Sequence, residues 1–314
     1  MNGRWHSICY ILCVAAIKRK TTNKEKEMNA IKAGFLSLTA LASVACAYAE
    51  EEAKPQVEEE TGLPISVEVS VDVLSDYMWR GQICNDNPVW QPSVTLGYDM
   101  GDYGSIGANI WSSFDLTHKR NTTRMSGGLQ EIDYTLFYDI SLAGFDFEFG
   151  HVWYTFPDHG NKSKDRYCGT GSDLYASVSY ANDYLTPTVA VYWDYNDNQG
   201  NDPKYLYFNF GVEHEFAITD DLALTPNASL GVGNSTFTRA WCWDGDEAEG
   251  KKPGVEMVDS TIGLSASYAI CENLSVGAQV NYTWLPSKTM RHANYMSDDK
   301  DQIVWGGVNM TLSF

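Results

Sequence analysis

From Ile65 to Phe314 the chain alternates apolar and polar residues with a period of two, in segments long enough to cross a bilayer as strands. In the first segment Ile65, Val67, Val69, Val71 and Val73 fall on one face, with Ser66, Glu68, Ser70 and Asp72 on the other. The last repeats the pattern, setting Val304, Val308, Met310, Leu312 and Phe314 against Gly307, Asn309, Thr311 and Ser313. Ten further segments lie near 89–101, 103–116, 129–143, 145–156, 171–182, 185–195, 204–218, 222–238, 257–270 and 274–286. Their connections alternate as well. Short ones are Gly101-Asp102, Ala143-Gly144, Asn182-Asp183, Thr219-Asp220-Asp221 and Cys271-Glu272-Asn273. Long ones run over 82–88, 117–128, 158–171, 196–203, 239–256 and 286–301. Tight turns at one end and long loops at the other are the layout of an outer-membrane barrel. Five turns and six loops then require twelve strands, with both termini on the turn side. The expected fold class is all-β: a transmembrane up-and-down antiparallel β-barrel with periplasmic termini. A soluble β-sandwich is the competing fold; it would turn its apolar face into a core and need not sort its loops by length.

Upstream of the barrel, Met28 begins a second N-terminus. Lys32 supplies a positive charge, 33–44 is apolar, and Ala47-Tyr48-Ala49 is a small-x-small cleavage site. Residues 28–49 therefore read as a signal peptide for export, and 1–27 as an upstream extension. A lipoprotein cut before Cys46 fits less well, because Ser43 stands where that signal wants Leu. Residues 50–64 are acidic, with Glu58-Glu59-Glu60, and read as a periplasmic leader; 65–314 form the barrel. No apolar run approaches the roughly 20 residues of a transmembrane helix. A net charge of −19 excludes nucleic acid as a partner, since phosphates call for clustered Lys and Arg.

Strand parity assigns the lumen, because hydrocarbon cannot hydrate polar side chains. The inward set includes Glu68, Asp72, Asp76, Asp99, Asp115, Glu131, Asp133, Asp139, Asp146, Glu148, Asp173, Asp194, Glu213 and Asp259, with Arg80, and Arg239 near the outer mouth, as the candidate inward cations. Such a lining predicts a negative interior that concentrates cations; solvated carboxylates at a rim are the plainer reading of some. Asp76 and Arg80, four residues apart on an extended strand, stand roughly 13 Å from each other and cannot pair. Arg80 must therefore reach a carboxylate on a neighbouring strand or across the lumen. Twelve strands give a backbone radius of roughly 12 Å, hence a narrow channel or a plugged one. Gly107, Gly211, Gly231, Gly263, Ser265, Ser267 and Gly277 would leave space open; Trp111, Phe137, Tyr175, Tyr192 and Tyr207 would close it. Outward aromatics for the interfacial girdles are Tyr77, Trp79, Trp90, Tyr98, Tyr268 and Trp284.

The segment Asp76-Tyr77-Met78-Trp79-Arg80-Gly81 resembles the opening of the TorF-family porins, in which an Asp-Tyr-x-x-Arg-Gly motif closes the first strand. The resemblance implies an outer-membrane barrel and a porin role, and carries no catalytic residues. The terminal strand ending on Phe314 likewise resembles the signal read by the barrel-assembly machinery, an expected partner.

Cys84, Cys168 and Cys242 fall in or near long loops and Cys271 in a turn, so one loop disulfide is expected, Cys84–Cys168 or Cys168–Cys242. Asp244-Gly245-Asp246-Glu247 with Glu249 misses the calcium-loop spacing, and His118, His151, His159 and His214 show no metal spacing, so no metal or cofactor is expected. Loop cations such as Lys119, Arg120, Lys162, Lys251 and Arg291 suit lipopolysaccharide phosphates. The function expected is a passive channel for small neutral or cationic solutes. Two others compete: a non-conducting structural or adhesion barrel, and an outer-membrane enzyme in which His151 or His214 meets Ser, Asn or Asp at one rim.

Overall fold

The computed structural model describes residues 64–117, 128–157, 171–195, 205–241, 254–292 and 300–314. Among these residues are fifteen strands: β1 Ile65–Leu74, β2 Tyr77–Trp79, β3 Gln82–Asn85, β4 Val89–Asp99, β5 Ser105–Asp115, β6 Leu129–Leu142, β7 Phe145–Thr155, β8 Gly171–Ser179, β9 Thr186–Asp194, β10 Tyr205–Glu213, β11 Phe216–Ala217, β12 Leu222–Gly233, β13 Glu256–Cys271, β14 Leu274–Trp284 and β15 Gln302–Ser313. Two short α-helices among the described residues, α1 Ser235–Trp241 and α2 Lys288–His292, lie in the long loops.

All strands but β2 and β3 form one antiparallel sheet, in which each pairs with its neighbour in the chain. Pairing of β1 with β15 and of β10 with β12 closes it. Strands β10 and β11 both pair with β12 and serve as a single stave interrupted at His214 and Glu215, which gives a closed barrel of twelve. The last residue is in the ladder: Val67 N–H donates to the Phe314 carbonyl at 3.1 Å, and Phe314 N–H to that of Val67 at 2.9 Å. The Ala143-Gly144 turn has φ of 55° and 83°, the paired positive values that a two-residue hairpin needs to follow strand twist.

Apolar side chains point outward around the wall. Leu96, Ile110, Leu136, Phe210, Ile262 and Val280 are all exposed, Leu136 at 54%. Their chain neighbours Thr95, Asn109 and Thr135 line a cavity on the inside. A sandwich would bury the first set and expose the second, so the barrel is the architecture that this parity selects.

Two expected strands are shorter than their patterns. The segment read as 222–238 ends at Gly233, because Asn234 caps α1: its Oδ1 accepts from Phe237 N–H and Thr236 Oγ1, each at 2.9 Å. Phe237 lies on Gly233, where a Cβ would come within 2.5 Å of its ring. The first strand ends at Leu74, although its alternation continues through Arg80. Residues 75–88 instead fold back as the β2–β3 hairpin, a two-stranded sheet of its own. Arg80 and Gly81, with φ of 46° and 76°, form its two-residue tip between paired Trp79 and Gln82. Tyr77 and Trp79, expected on the lipid girdle, are consequently inside the barrel and packed in its core clusters.

The parity has a direct test. Replacing outward Leu136 with Arg should destabilise the barrel by about 2–4 kcal/mol in a lipid bilayer, while Thr135→Arg, one residue away, should change little. Denaturant unfolding of both variants in vesicles reads the difference; equal costs would contradict the assigned faces.

Candidate functional site in the barrel lumen

Direct register neighbours trace an oblique row across the inner wall: Gly97, Gly107, Phe137, Gly150, Tyr175, Tyr192, Tyr207 and Gly233. Gly97 lies two residues from the turn end of β4 and Gly233 closes the loop end of β12, so the row climbs the barrel, as tilted strands require. Its glycines make room for its rings. A Cβ on Gly107 would meet the Phe137 ring at 2.2 Å, and one on Gly150 would meet the Tyr175 ring at 2.4 Å. Rings laid over glycine lie along the wall and do not project across the lumen, so Phe137 and Tyr175 close less of it than their size suggests. Beside them is a cavity of about 280 Å³ lined by Thr95, Asn109, Thr135, Phe137, Glu148 and Tyr175. The Tyr175 hydroxyl hydrogen-bonds to Glu148, and Asn109 Nδ2 donates to Ser93 Oγ at 2.7 Å and Thr95 Oγ1 at 2.8 Å.

The loop-end half is filled. The β2–β3 hairpin enters the lumen and sets Ile83 against Phe237 of α1, Met290 of α2, Val258, Leu285 and Tyr207. Val258 reaches this cluster through a bulge at the Gly231/Val232 register shift. On the opposite side Asn85 Nδ2 donates to Gln130 Oε1 at 3.0 Å and Asp115 Oδ2 at 3.3 Å. Asp115 also accepts from Thr117 N–H and Oγ1.

Arg80 is the centre of the plug. Its Nη2 is 2.5 Å from Asp173 Oδ2 on β8, across the lumen, with the two side chains 9% and 2% exposed. Its guanidinium carbon lies 4.4 Å from the Trp79 ring centroid, 4.6 Å from that of Tyr192 and 5.0 Å from that of Tyr207. Tyr154 OH donates to the same Asp173 oxygen at 3.0 Å, and Tyr207 OH to Asp259 Oδ1 at 3.0 Å. The φ of 46° at Arg80 costs about 1–2 kcal/mol in a non-glycine residue, which the ion pair and ring contacts must outweigh. Gln82 Nε2, Glu131 Oε2 and Asp133 Oδ1 are buried with no hydrogen-bond partner among the described residues.

The acidic residues read from parity separate into levels. Asp115, Glu131, Asp173, Asp194 and Asp259 are buried around the plug, and half-buried Asp133 is beside them in the ladder opposite Tyr154. Asp72 lies between Gln91 and Asn309, two residues from the loop end of β1. Asp139 and Glu148 are register neighbours nearer the turn end, where Asp146, Asp99 and Glu213 also lie; Asp99 accepts from Gly101 N–H in the turn. Glu68 is exposed near the turn end of β1. Asp76 is off the wall, in the bend before β2, where burial raises its carboxyl pKa against the Ser75 hydrogen bond and the Lys300 charge. Residues 158–170 and 242–253 lie outside the described residues, and with them the Cys168 and Cys242 bridges and the acidic loop at Asp244.

Parity reasoning missed the polar anchors Asn85 and Gln130 and the whole hairpin. The available signal was Arg80-Gly81 flanked by Tyr77, Trp79, Gln82 and Cys84, a short alternation broken by a glycine-bearing pair. Removing Arg80 leaves Asp173 buried without its cation, so Arg80→Ala should cost roughly 3–5 kcal/mol. The Arg80→Ala/Asp173→Ala double variant should recover part of that loss in the same unfolding measurement; additive losses would show the pair to be uncoupled.

No curated protein sequence matches the chain. Among solved structures it is similar to an outer membrane channel of Pseudomonas putida F1 (10% identity, 83% of this chain and 100% of that one, TM-score 0.44). It is also similar to the NanC porin (12%, 79% and 98%, TM-score 0.42) and to the outer membrane phospholipase of Salmonella typhi (13%, 82% and 94%, TM-score 0.41). The model of a family described as bacterial protein of unknown function, Gcw_chp, matches residues 58–285, and the chain belongs to that family.

Proposed function

We propose that this protein is a passive outer-membrane channel whose acid-lined lumen admits small neutral or cationic solutes, reached by export through the signal peptide at 28–49. The observation that carries the reading is the wall itself: an apolar outer surface around a lumen of carboxylates, hydroxyls and amides. Only a solvent that is hydrocarbon outside and aqueous inside suits both faces. The Asp76 to Gly81 motif supports a TorF-type porin as the finer assignment, with the termini and turns periplasmic and the plugged end outside. Lipid, loop-bound lipopolysaccharide and the assembly machinery reading Phe314 are the partners of this reading.

The plug favours a second reading, a barrel that does not conduct. Ile83, Phe237 and Met290 are as buried as the core of a soluble protein, which leaves no aqueous path through the cluster they form. We take the structure as the closed form of a channel, because the hairpin shares no ladder with the barrel and can leave without breaking one. An enzyme is the least supported reading. His151 hydrogen-bonds to Tyr195 OH at 2.6 Å and packs on Trp153, and His214 packs on Phe216. Those partners are aromatic, whereas a histidine base in nucleophilic catalysis hydrogen-bonds the nucleophile it activates and is itself oriented by a third polar group.

Leu74 pairs directly with Val89, so a two-residue Asn-Gly turn can replace residues 75–88 and close the same hairpin. In planar bilayers under a salt gradient, the intact protein should show small, infrequent openings and the hairpin-less variant a steady, larger, cation-selective conductance. Silence from both, with the barrels shown to be folded, would leave the structural reading; anion selectivity would refute the acidic lining.

A further inference from the structure

The guanidinium of Arg80 arrives with the hairpin, but nearly everything that holds it belongs to the barrel. Asp173 and Tyr154 come from β8 and β7, Tyr192 from β9 and Tyr207 from β10. Two more carboxylates of the wall back them. Asp194 is the direct register neighbour of Asp173, and Asp259 accepts from Tyr207. A carboxylate for a charge-assisted hydrogen bond and ring faces for the cation are the two chemistries that recognise an organic cation. Here both are fixed on rigid strands. Of the three rings Trp79, Tyr192 and Tyr207, it is Trp79 that would leave with the hairpin.

The wall also offers a way in. Tyr192 stacks on Tyr175 with centroids 5.6 Å apart and planes at 27°, and Tyr175 with Glu148 lines the cavity in the turn-end half. A cation entering that cavity meets Glu148 first and then a run of ring faces leading to Asp173.

We propose that the wall formed by Asp173, Tyr154, Tyr192 and Tyr207 is a recognition site for a guanidinium or alkylammonium solute, which Arg80 holds in this structure as a tethered stand-in. The solute displaces Arg80, and the hairpin is released with it. A planar guanidinium suits the site better than a metal ion or a hydrated alkali cation, because it can bond Asp173 at its edge while its face meets rings. This deepens the acidic-channel reading and rests on it for the route of the solute; binding itself needs no conductance to be measured.

The test uses the full chain refolded in detergent, its barrel verified by heat-dependent mobility on a gel. Arg80→Ala is titrated with methylguanidinium chloride against sodium chloride of equal ionic strength, reading tryptophan fluorescence and the unfolding midpoint. The expected result is a saturable change and a raised midpoint with methylguanidinium alone, since a ligand that binds the folded form stabilises it. Adding Asp173→Asn should weaken that response by about tenfold or more, and the wild type, whose site is filled, should need a similar excess. A folded Arg80→Ala that answers methylguanidinium no better than sodium overturns the proposal, as does a response unchanged by Asp173→Asn. Should Arg80→Ala not fold, Arg80→Gln gives the same comparison with the polar arm retained, and the wild type gives it at higher concentration. Binding without conductance would keep the site and refute the channel; conductance without binding would do the reverse.

Discussion

A backbone amide left unpaired in hydrocarbon costs several kcal/mol, and the architecture follows from avoiding that cost. Each of the twelve staves of the wall has neighbours on both sides, and the pairings of β1 with β15 and of β10 with β12 remove the two edges that an open sheet would leave. Closure fixes the parity of every side chain. Once Leu136 faces out, Thr135 and Phe137 must face in, and the same holds around the ring through the strand register. Closure also tilts the strands, which makes register neighbours such as Gly107, Phe137, Gly150 and Tyr175 climb from one end of the lumen toward the other. The oblique aromatic row is thus a consequence of barrel geometry acting on residues spaced at alternate positions.

What fills the lumen obeys a different balance. Carboxylates facing water at the turn end need no partner, whereas Asp115, Asp173 and Asp259 are desolvated by the hairpin and each accepts a hydrogen bond. Arg80 brings one positive charge to a wall with several negative ones. The plug therefore holds its place through that charge, the amide of Asn85 and the apolar cluster about Ile83, which are three separate contacts.

These contributions explain which parts were legible in the sequence. The twelve staves could be read because each alternates over its own length and because short and long connections take turns. Lumen positions followed by parity alone. The hairpin could not be read so, since Tyr77 and Trp79 continue the alternation of β1 and differ from an outward girdle only in their tertiary surroundings. Arg80-Gly81 is an uncommon tip for a two-residue turn, which usually carries Asn or Asp before Gly. Its left-handed φ is held by Asp173, ninety-three residues away in the chain. The helix after Gly233 was hidden for a similar reason: Val232, Phe237 and Thr238 keep a strand-like composition, and only the capping carbonyl of Asn234 turns the chain.

A two-stranded hairpin is at best marginally stable by itself, so β2 and β3 owe their form to the surrounding wall. The reverse does not hold. Leu74 and Val89 are already paired with each other, and Leu74 with Gly307, so the barrel is continuous beneath the hairpin. A plug that depends on the wall, in a wall that does not depend on the plug, is free to have two positions. On the proposed reading, the balance between them would be set by a few contacts, foremost the burial of one guanidinium against one carboxylate. Pairs of that kind are sensitive to whatever else can neutralise the carboxylate, and a solute of like chemistry is the simplest competitor. The acidic lumen would draw such solutes in, and the site that Arg80 fills would then decide which of them shift the hairpin.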